Sequence, residues 1–194
     1  MRWRPLLVCL VLAAAAAGCG GSSSSGGSPP KETADPPAPP LRGWTRLVND
    51  SAGFSLSLPP GWTTRRSDQG STLIRSSDRA LAVAVSADRS KDGADDPPTT
   101  YLERTVRHLD GYRDLRFGRA VPVAGLRYPA AQLTATGTFA RTRVHQAITL
   151  YALRRPGIVT YTLAVFRSAA TPAARYALYL RAILRSFRGR PARV

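Results

Sequence analysis

Cysteine is almost missing: the 194 residues hold two, Cys9 and Cys19. Cys9 lies in an apolar leader that we expect to be removed, which leaves a single thiol. An intramolecular disulfide, a cysteine metal site and a Cys-x-x-Cys redox centre are therefore excluded. Histidine is as scarce, with only His108 and His145, so a histidine-based metal centre lacks converging ligands. No apolar run reaches the roughly 20 residues that a membrane-spanning helix needs. A Gly-x-Ser-x-Gly nucleophile elbow is absent, although a dispersed Ser/His/Asp triad stays open on spacing alone. Lysine is confined to Lys31 and Lys91, and acidic residues number 12 against 28 Lys and Arg.

That imbalance gives a formal net charge of +16. A strong positive balance can mark an anionic partner such as a membrane or an acidic polymer. Yet the charge is nearly all Arg in an Ala-rich chain, which is also how a high-GC genome biases composition. The Arg residues are scattered, and no segment interleaves them with aromatics. Nucleic-acid binding is thus disfavoured.

Composition divides the chain in three. Arg2 and Arg4 make a short basic start, and Leu6 to Ala17 follow as an apolar stretch. That pattern fits the h-region of an export signal. It ends in Ala16-Ala17-Gly18-Cys19, which resembles a bacterial lipobox, with Ala16 where Leu is commoner. The resemblance implies cleavage before Cys19 and a diacylglyceryl thioether on its sulfur. An ordinary secretory signal cut within the Ala run is the alternative. Beyond Cys19 the chain is Gly, Ser, Pro and Ala, too poor in apolar residues to offset its ordering entropy. Its Gly/Ser run lacks the Lys-Ser/Thr ending of a phosphate loop. We therefore expect a signal at 1–18, an acylated Cys19 with a disordered tether at 19–42, and a globular domain at 43–194.

The domain alternates in ways that foretell its elements. Residues 53–58 carry the period of a half-buried strand, halted by Pro59-Pro60-Gly61. Short strands are expected over 72–75 and 81–85, and a loop over 88–98. Thr99 to Tyr112 reads as a helix with a Thr cap, ended by Asp110-Gly111. Leu115, Phe117, Val121 and Val123 suggest one broken strand. Three alternating runs, 131–139, 144–153 and 158–166, predict an antiparallel meander, with Arg154-Arg155-Pro156-Gly157 as its last turn. Thr171-Pro172 should open a helix. Tyr176, Leu180, Ile183, Leu184 and Phe187 then share one face of it. That helix is basic and could lie on a membrane, but docking on the sheet is the preferred reading. The fold class is α+β.

Gly53-Phe54-Ser55-Leu56-Ser57-Leu58-Pro59-Pro60-Gly61-Trp62 resembles the opening of PsbP-like domains. Gly125 to Gly137 with Ala130-Ala131, His145, Gly157-x-x-x-Tyr161 and Ser186-Phe187-Arg188 extend the likeness over about 43–188. Such domains include Lpq-type lipoproteins of high-GC Gram-positive bacteria and extracellular parts of some actinobacterial Ser/Thr kinases. The resemblance implies an antiparallel sheet flanked by helices, an α/β/α sandwich, and a mostly non-enzymatic role in the cell envelope. It carries no catalytic residue and no cofactor.

Other candidates are thin. Asp88, Asp92, Asp95 and Asp96 do not match a calcium-loop spacing, and read as a solvated loop. Asn49-Asp50-Ser51 is a glycosylation sequon read as chance. Trp44 and Trp62 read as packing rather than as a stacking platform. The preferred function is a membrane-anchored, extracytoplasmic binding or accessory lipoprotein, held through Cys19, with an envelope protein or an anionic lipid or polymer as partner. A lipid- or polyanion-handling protein, marked by an apolar cleft lined with Arg, and a hydrolase with an unrecognised site are the alternatives.

Overall fold

The alternating segments become strands because every second side chain must leave water together. In the computed structural model, which describes residues 41–66 and 70–191, the chain opens with β1 (Thr45–Asn49), β2 (Phe54–Leu58), β3 (Thr63–Arg66), β4 (Thr72–Arg75) and β5 (Leu81–Asp88). A short helix α1 (Lys91–Asp95) and a longer one α2 (Pro98–Val106) follow, then β6 (Tyr112–Phe117) and β7 (Val121–Pro122). The meander is β8 (Ala130–Phe139), β9 (Val144–Arg155) and β10 (Val159–Ser168). Helix α3 (Ala174–Ser186) and the two-residue β11 (Arg188–Gly189) complete it.

The large sheet has the order β3-β4-β5-β10-β9-β8-β6, with β7 also paired to β8, and its pairs are antiparallel. A small sheet has the order β1-β2-β11. Each face of the large sheet buries its own core. Leu133 and Ala135 of β8 and Ile148, Leu150 and Ala152 of β9 meet Tyr101, Leu102 and Val106 of α2. On the other face Leu81, Val83 and Val85 of β5 and Tyr161, Leu163 and Val165 of β10 meet the small sheet and α3. The result is the α+β fold that the patterning called for and the sandwich that the resemblance implies, with α1 and α2 on one face and α3 plus the small sheet on the other.

Tight turns hold the first hairpin. Gly53 sits at φ +71°, the left-handed region that favours glycine. Asn49, fully buried, accepts from Ser51 Oγ at 2.8 Å and from the Ala52 N–H at 2.9 Å. Its amide nitrogen donates to Thr72 Oγ1 and to the Gly70 carbonyl, which ties β1 to β4.

Several local expectations need correction. The expected loop 88–98 contains α1. Ser90 Oγ accepts the Gly93 N–H at 3.1 Å, a serine cap on its first turn, and Thr160 Oγ1 donates to the Gly93 carbonyl. Helix α2 begins at Pro98 rather than Thr99, with Pro97 as its cap and no side-chain cap bond. It also ends earlier than expected, at Val106. His108 and Leu109 bond back only three residues, so the turn tightens, although Leu109 is still buried. Helix α3 likewise starts at Ala174, without a hydroxyl cap from Thr171. There Thr171 offers its carbonyl to the Arg167 guanidinium instead. Strands β1, β3 and β11 carry no readable alternation: β3 is exposed along its length, as suits a charged sheet edge.

Candidate functional site

The phrases that carried the family resemblance converge on one buried seam. Phe54 stacks on Phe187 with centroids 5.6 Å apart, and Tyr161 meets Phe187 edge-on at 4.9 Å. Tyr128 approaches the same ring at 6.3 Å. The Tyr161 hydroxyl donates to the Gly53 carbonyl at 2.6 Å, and the Ser57 N–H donates to Ser186 Oγ at 2.9 Å. These contacts bolt β2, β10 and the end of α3 together. Phe54, Tyr161 and Phe187 are wholly buried, so the seam is structural and can touch no ligand.

A cleft lies beside that seam. It has a volume of about 620 Å³ and opens between α3 and the segment after β7, a size ordinary for small-molecule sites. Its floor is the large sheet: Gln132, Thr149, Tyr151 and Val165. These stand on one face because they sit at alternate positions of β8, β9 and β10 in paired register. Val123 and Leu126 form one apolar wall, and Leu180 and Leu184 of α3 form the other. Arg167, Arg181 and Arg185 line the rim. Arg181 and Arg185 are one helical turn apart and exposed, an arrangement that costs an isolated helix roughly 0.2 to 0.5 kcal/mol of like-charge repulsion. Arg185 regains part of this at the C-terminal end of α3, where the helix dipole favours a cation. No Asp, Glu, Ser, Cys or His is among the lining residues.

Two tyrosines add polar points. Burial pushes the Tyr151 phenol above its ordinary pKa, so it stays protonated and able to donate. Tyr176 is also raised, by desolvation first and then by its hydrogen bond to Asp78 Oδ2. Asp78 itself is held at about 2, chiefly by hydrogen bonds from Ser76 and Tyr176. Arg175 lies 2.8 Å from the same carboxylate. This small network ties the first turn of α3 to the turn between β4 and β5.

The residues singled out from sequence fall elsewhere. Cys19 and the expected signal and tether lie outside the described residues. His108 is exposed in the turn after α2, and His145 is exposed near the start of β9, 3.4 Å from Thr138 Oγ1. Among the described residues no group of three or more His, Cys, Asp or Glu could hold a metal ion. Of the acidic set, Asp88 accepts the Ser90 N–H, and Asp96 pairs with Arg104 at 2.7 Å. The sequon at Asn49 is buried and its amide nitrogen is already committed to two bonds, which leaves no acceptor for a glycan. Trp44 and Trp62 are half-buried against the core and both contact Tyr179. Sequence reasoning missed the cleft because its residues are ordinary. Only the Arg181/Arg185 spacing, off the apolar face of α3, gave a signal.

Comparison with known proteins bears on the fold. No family model matches the chain, and no curated protein matches it. Solved structures do. Cyanobacterial PsbP (CyanoP) from Synechocystis is 14% identical with a TM-score of 0.55, over 86% of this chain and 96% of that one. The chain has a PsbP-like fold. A Bacteroides thetaiotaomicron protein, also 14% identical, gives a TM-score of 0.53 over 77% of this chain. The chain spans 49% of that protein's length. The Saccharomyces cerevisiae Ran-binding protein Mog1p is 10% identical, covers 74% of this chain and 94% of its own, and gives 0.50. At such identities the PsbP-like likeness concerns the path of the backbone alone. The cleft must be judged from its own residues.

Proposed function

We propose that this protein is a membrane-anchored extracytoplasmic lipoprotein, acylated on Cys19, whose PsbP-like domain is a non-catalytic binding module of the cell envelope. Its cleft takes an anionic ligand with an apolar body. The observation that carries this reading is the rim of Arg167, Arg181 and Arg185 around a cleft lined by no carboxylate. Guanidinium forks match carboxylates and phosphates in pairs of parallel bonds. The leucine and valine walls suit an acyl or other hydrocarbon portion. The lining holds no Ser, Cys, His or carboxylate beside the hydroxyls of Thr149, Tyr151 and Tyr176, which supports binding over turnover. Of the functions open from sequence, lipid or polyanion handling thereby becomes the specific form of the accessory role.

Calorimetric titration with dihexanoyl phosphatidic acid and dihexanoyl phosphatidylcholine, both kept below micelle formation, tests it. The acid should bind, the zwitterion should bind far less, and both should be recovered unhydrolysed. Arg181→Ala with Arg185→Ala should weaken binding by about tenfold or more, since each charge-assisted bond contributes roughly 1.5 to 3 kcal/mol. Equal affinity for the two lipids, or indifference to the double variant, would refute the assignment.

A further inference from the structure

A second surface lies on α3 beside the cleft. Tyr179 stands between Trp44 and Trp62, with ring centroids 6.3 Å and 6.2 Å away. Both tryptophans rest on the core yet stay partly exposed, and Tyr179 is 45% exposed. Among the described residues neither indole N–H has a protein acceptor. Next to Tyr179, Leu178 is 79% exposed, the most exposed large apolar residue described. An unpartnered leucine beside three amphipathic rings is costly to keep in water, and such rings favour a boundary between water and hydrocarbon.

Two observations say what covers the patch. The described chain enters at Leu41, three positions before Trp44, so the segment leading back to Cys19 joins the domain at this face. Arg42, exposed, lies two positions before Trp44, and Arg181, exposed, follows Leu178 by three positions on α3, a charge that suits anionic headgroups. We infer that Trp44, Trp62, Leu178 and Tyr179 form a docking face for an anionic phospholipid bilayer. On this face the rings sit at headgroup depth and Leu178 reaches the acyl boundary. The inference leans on the proposed anchor only for its direction; the patch should bind without any acyl chain. It adjoins the cleft and shares Arg181 with it, so the test changes Leu178, which does not line the cleft.

The test uses the chain from residue 19 onward with Cys19→Ser, which keeps every described residue and removes acylation. Trp3 is then gone, and Trp44 and Trp62 are the sole tryptophans, so intrinsic fluorescence reports on the patch itself. Phosphatidylglycerol vesicles should shift the emission to the blue, and brominated acyl chains should quench it. Phosphatidylcholine vesicles should do so much less. Leu178→Glu, a fold-neutral change at so exposed a site, should weaken partitioning by roughly tenfold or more; Leu178→Trp should strengthen it. Unchanged emission, vesicle binding without quenching, or Leu178→Glu partitioning like the parent would each overturn the inference. So would a dimer that Leu178→Glu dissolves, because a second copy would then be the occupant. Loss of phosphatidic acid binding with vesicle docking intact would fault the cleft reading and leave this one standing.

Discussion

Replacing Phe187 by Ala should damage the fold more than any change at the cleft. Phe187 is 0% exposed and touches the rings of Phe54, Tyr161 and Tyr128. Its two successors form β11 against β2, and the Arg190 N–H then donates to the Gly53 carbonyl at 2.7 Å. Deleting the ring loses its transfer energy, about 1.5 to 3 kcal/mol. It also forfeits several ring contacts, each worth roughly 0.5 to 1.5 kcal/mol and not additive. The cavity it leaves is held open by two sheets that cannot both collapse into it. Phe→Ala changes in such sites cost about 3 to 5 kcal/mol in total. For a domain near 150 residues, each kcal/mol moves the melting point by about 2 to 4 °C. The expected fall is therefore roughly 6 to 20 °C, out of a total stability of the order of 5 to 15 kcal/mol.

Urea and thermal unfolding followed by circular dichroism would measure it, with an unchanged urea slope showing that one cooperative unit persists. Phe117→Ala is the matched control. Phe117 is 45% exposed on β6, and its loss should stay within about 0.5 kcal/mol. A Phe187→Ala cost below about 1 kcal/mol would show that the two sheets are not joined through this ring, and the structural reading of the seam would fail.

Other perturbations probe other joints. A Cβ on Gly189 would stand 2.6 Å from Arg155 Cδ and 2.9 Å from its Nη1, so Gly189→Ala should cost about 1 to 3 kcal/mol in chemical denaturation. Asp78 is lowered from 3.8 to about 2 in the folded state. Its stabilising contribution should be complete above about pH 4 and vanish as pH falls through 2, and Asp78→Asn should flatten the acid limb of the stability profile. A chain starting at Leu41 should melt cooperatively, with a midpoint that a chelator leaves unchanged; a large chelator-induced drop would reveal a missed metal. Intact mass spectrometry of membrane-extracted protein should find a diacylglyceryl mass on Cys19, and a mature terminus at Ala17 or Gly18 would rule it out.

The strands that read clearly from sequence are those whose two faces differ. Residues 130–168 alternate because one face meets α2 and the other meets α3 with the small sheet, and each register is forced by that burial. The broken strand read from Leu115, Phe117, Val121 and Val123 appears as β6 and β7, although their residues are mostly exposed. Strand β2 was legible even though all five of its residues are buried, because its inward positions are Phe and Leu while Ser55 and Ser57 fill the others. Strands β1 and β3 were not, since β1 exposes its first two residues and β3 all four. Backbone pairing across the sheet, not side-chain pattern, makes them strands. Helix α1 was hidden by the propensities of Lys-Asp-Gly-Ala-Asp, and its helix is stabilised from outside by Ser90 and Thr160.

Motif and site part company in this protein for a physical reason. Gly53-Phe54, Tyr161 and Ser186-Phe187 form a recognisable phrase because three distant segments must fit one seam, and few residues satisfy that geometry. A large aromatic, a hydroxyl donor and a glycine carbonyl have no simple substitutes there. The cleft is under no such constraint. Its floor needs only some polar side chains facing α3, and its rim needs only cations free to reach a ligand. Thr149, Gln132 and Arg181 meet those demands without forming a pattern. A PsbP-like fold can therefore keep its seam and vary its cleft, so shared backbone among proteins 10 to 14% identical says little about what each one holds. On the proposed binding role, specificity rests on the placement of Arg167, Arg181 and Arg185. Exchanging Arg181 and Arg185 for Glu should reverse the preferred charge of the ligand while the melting point stays near that of the parent, because neither side chain reaches the seam.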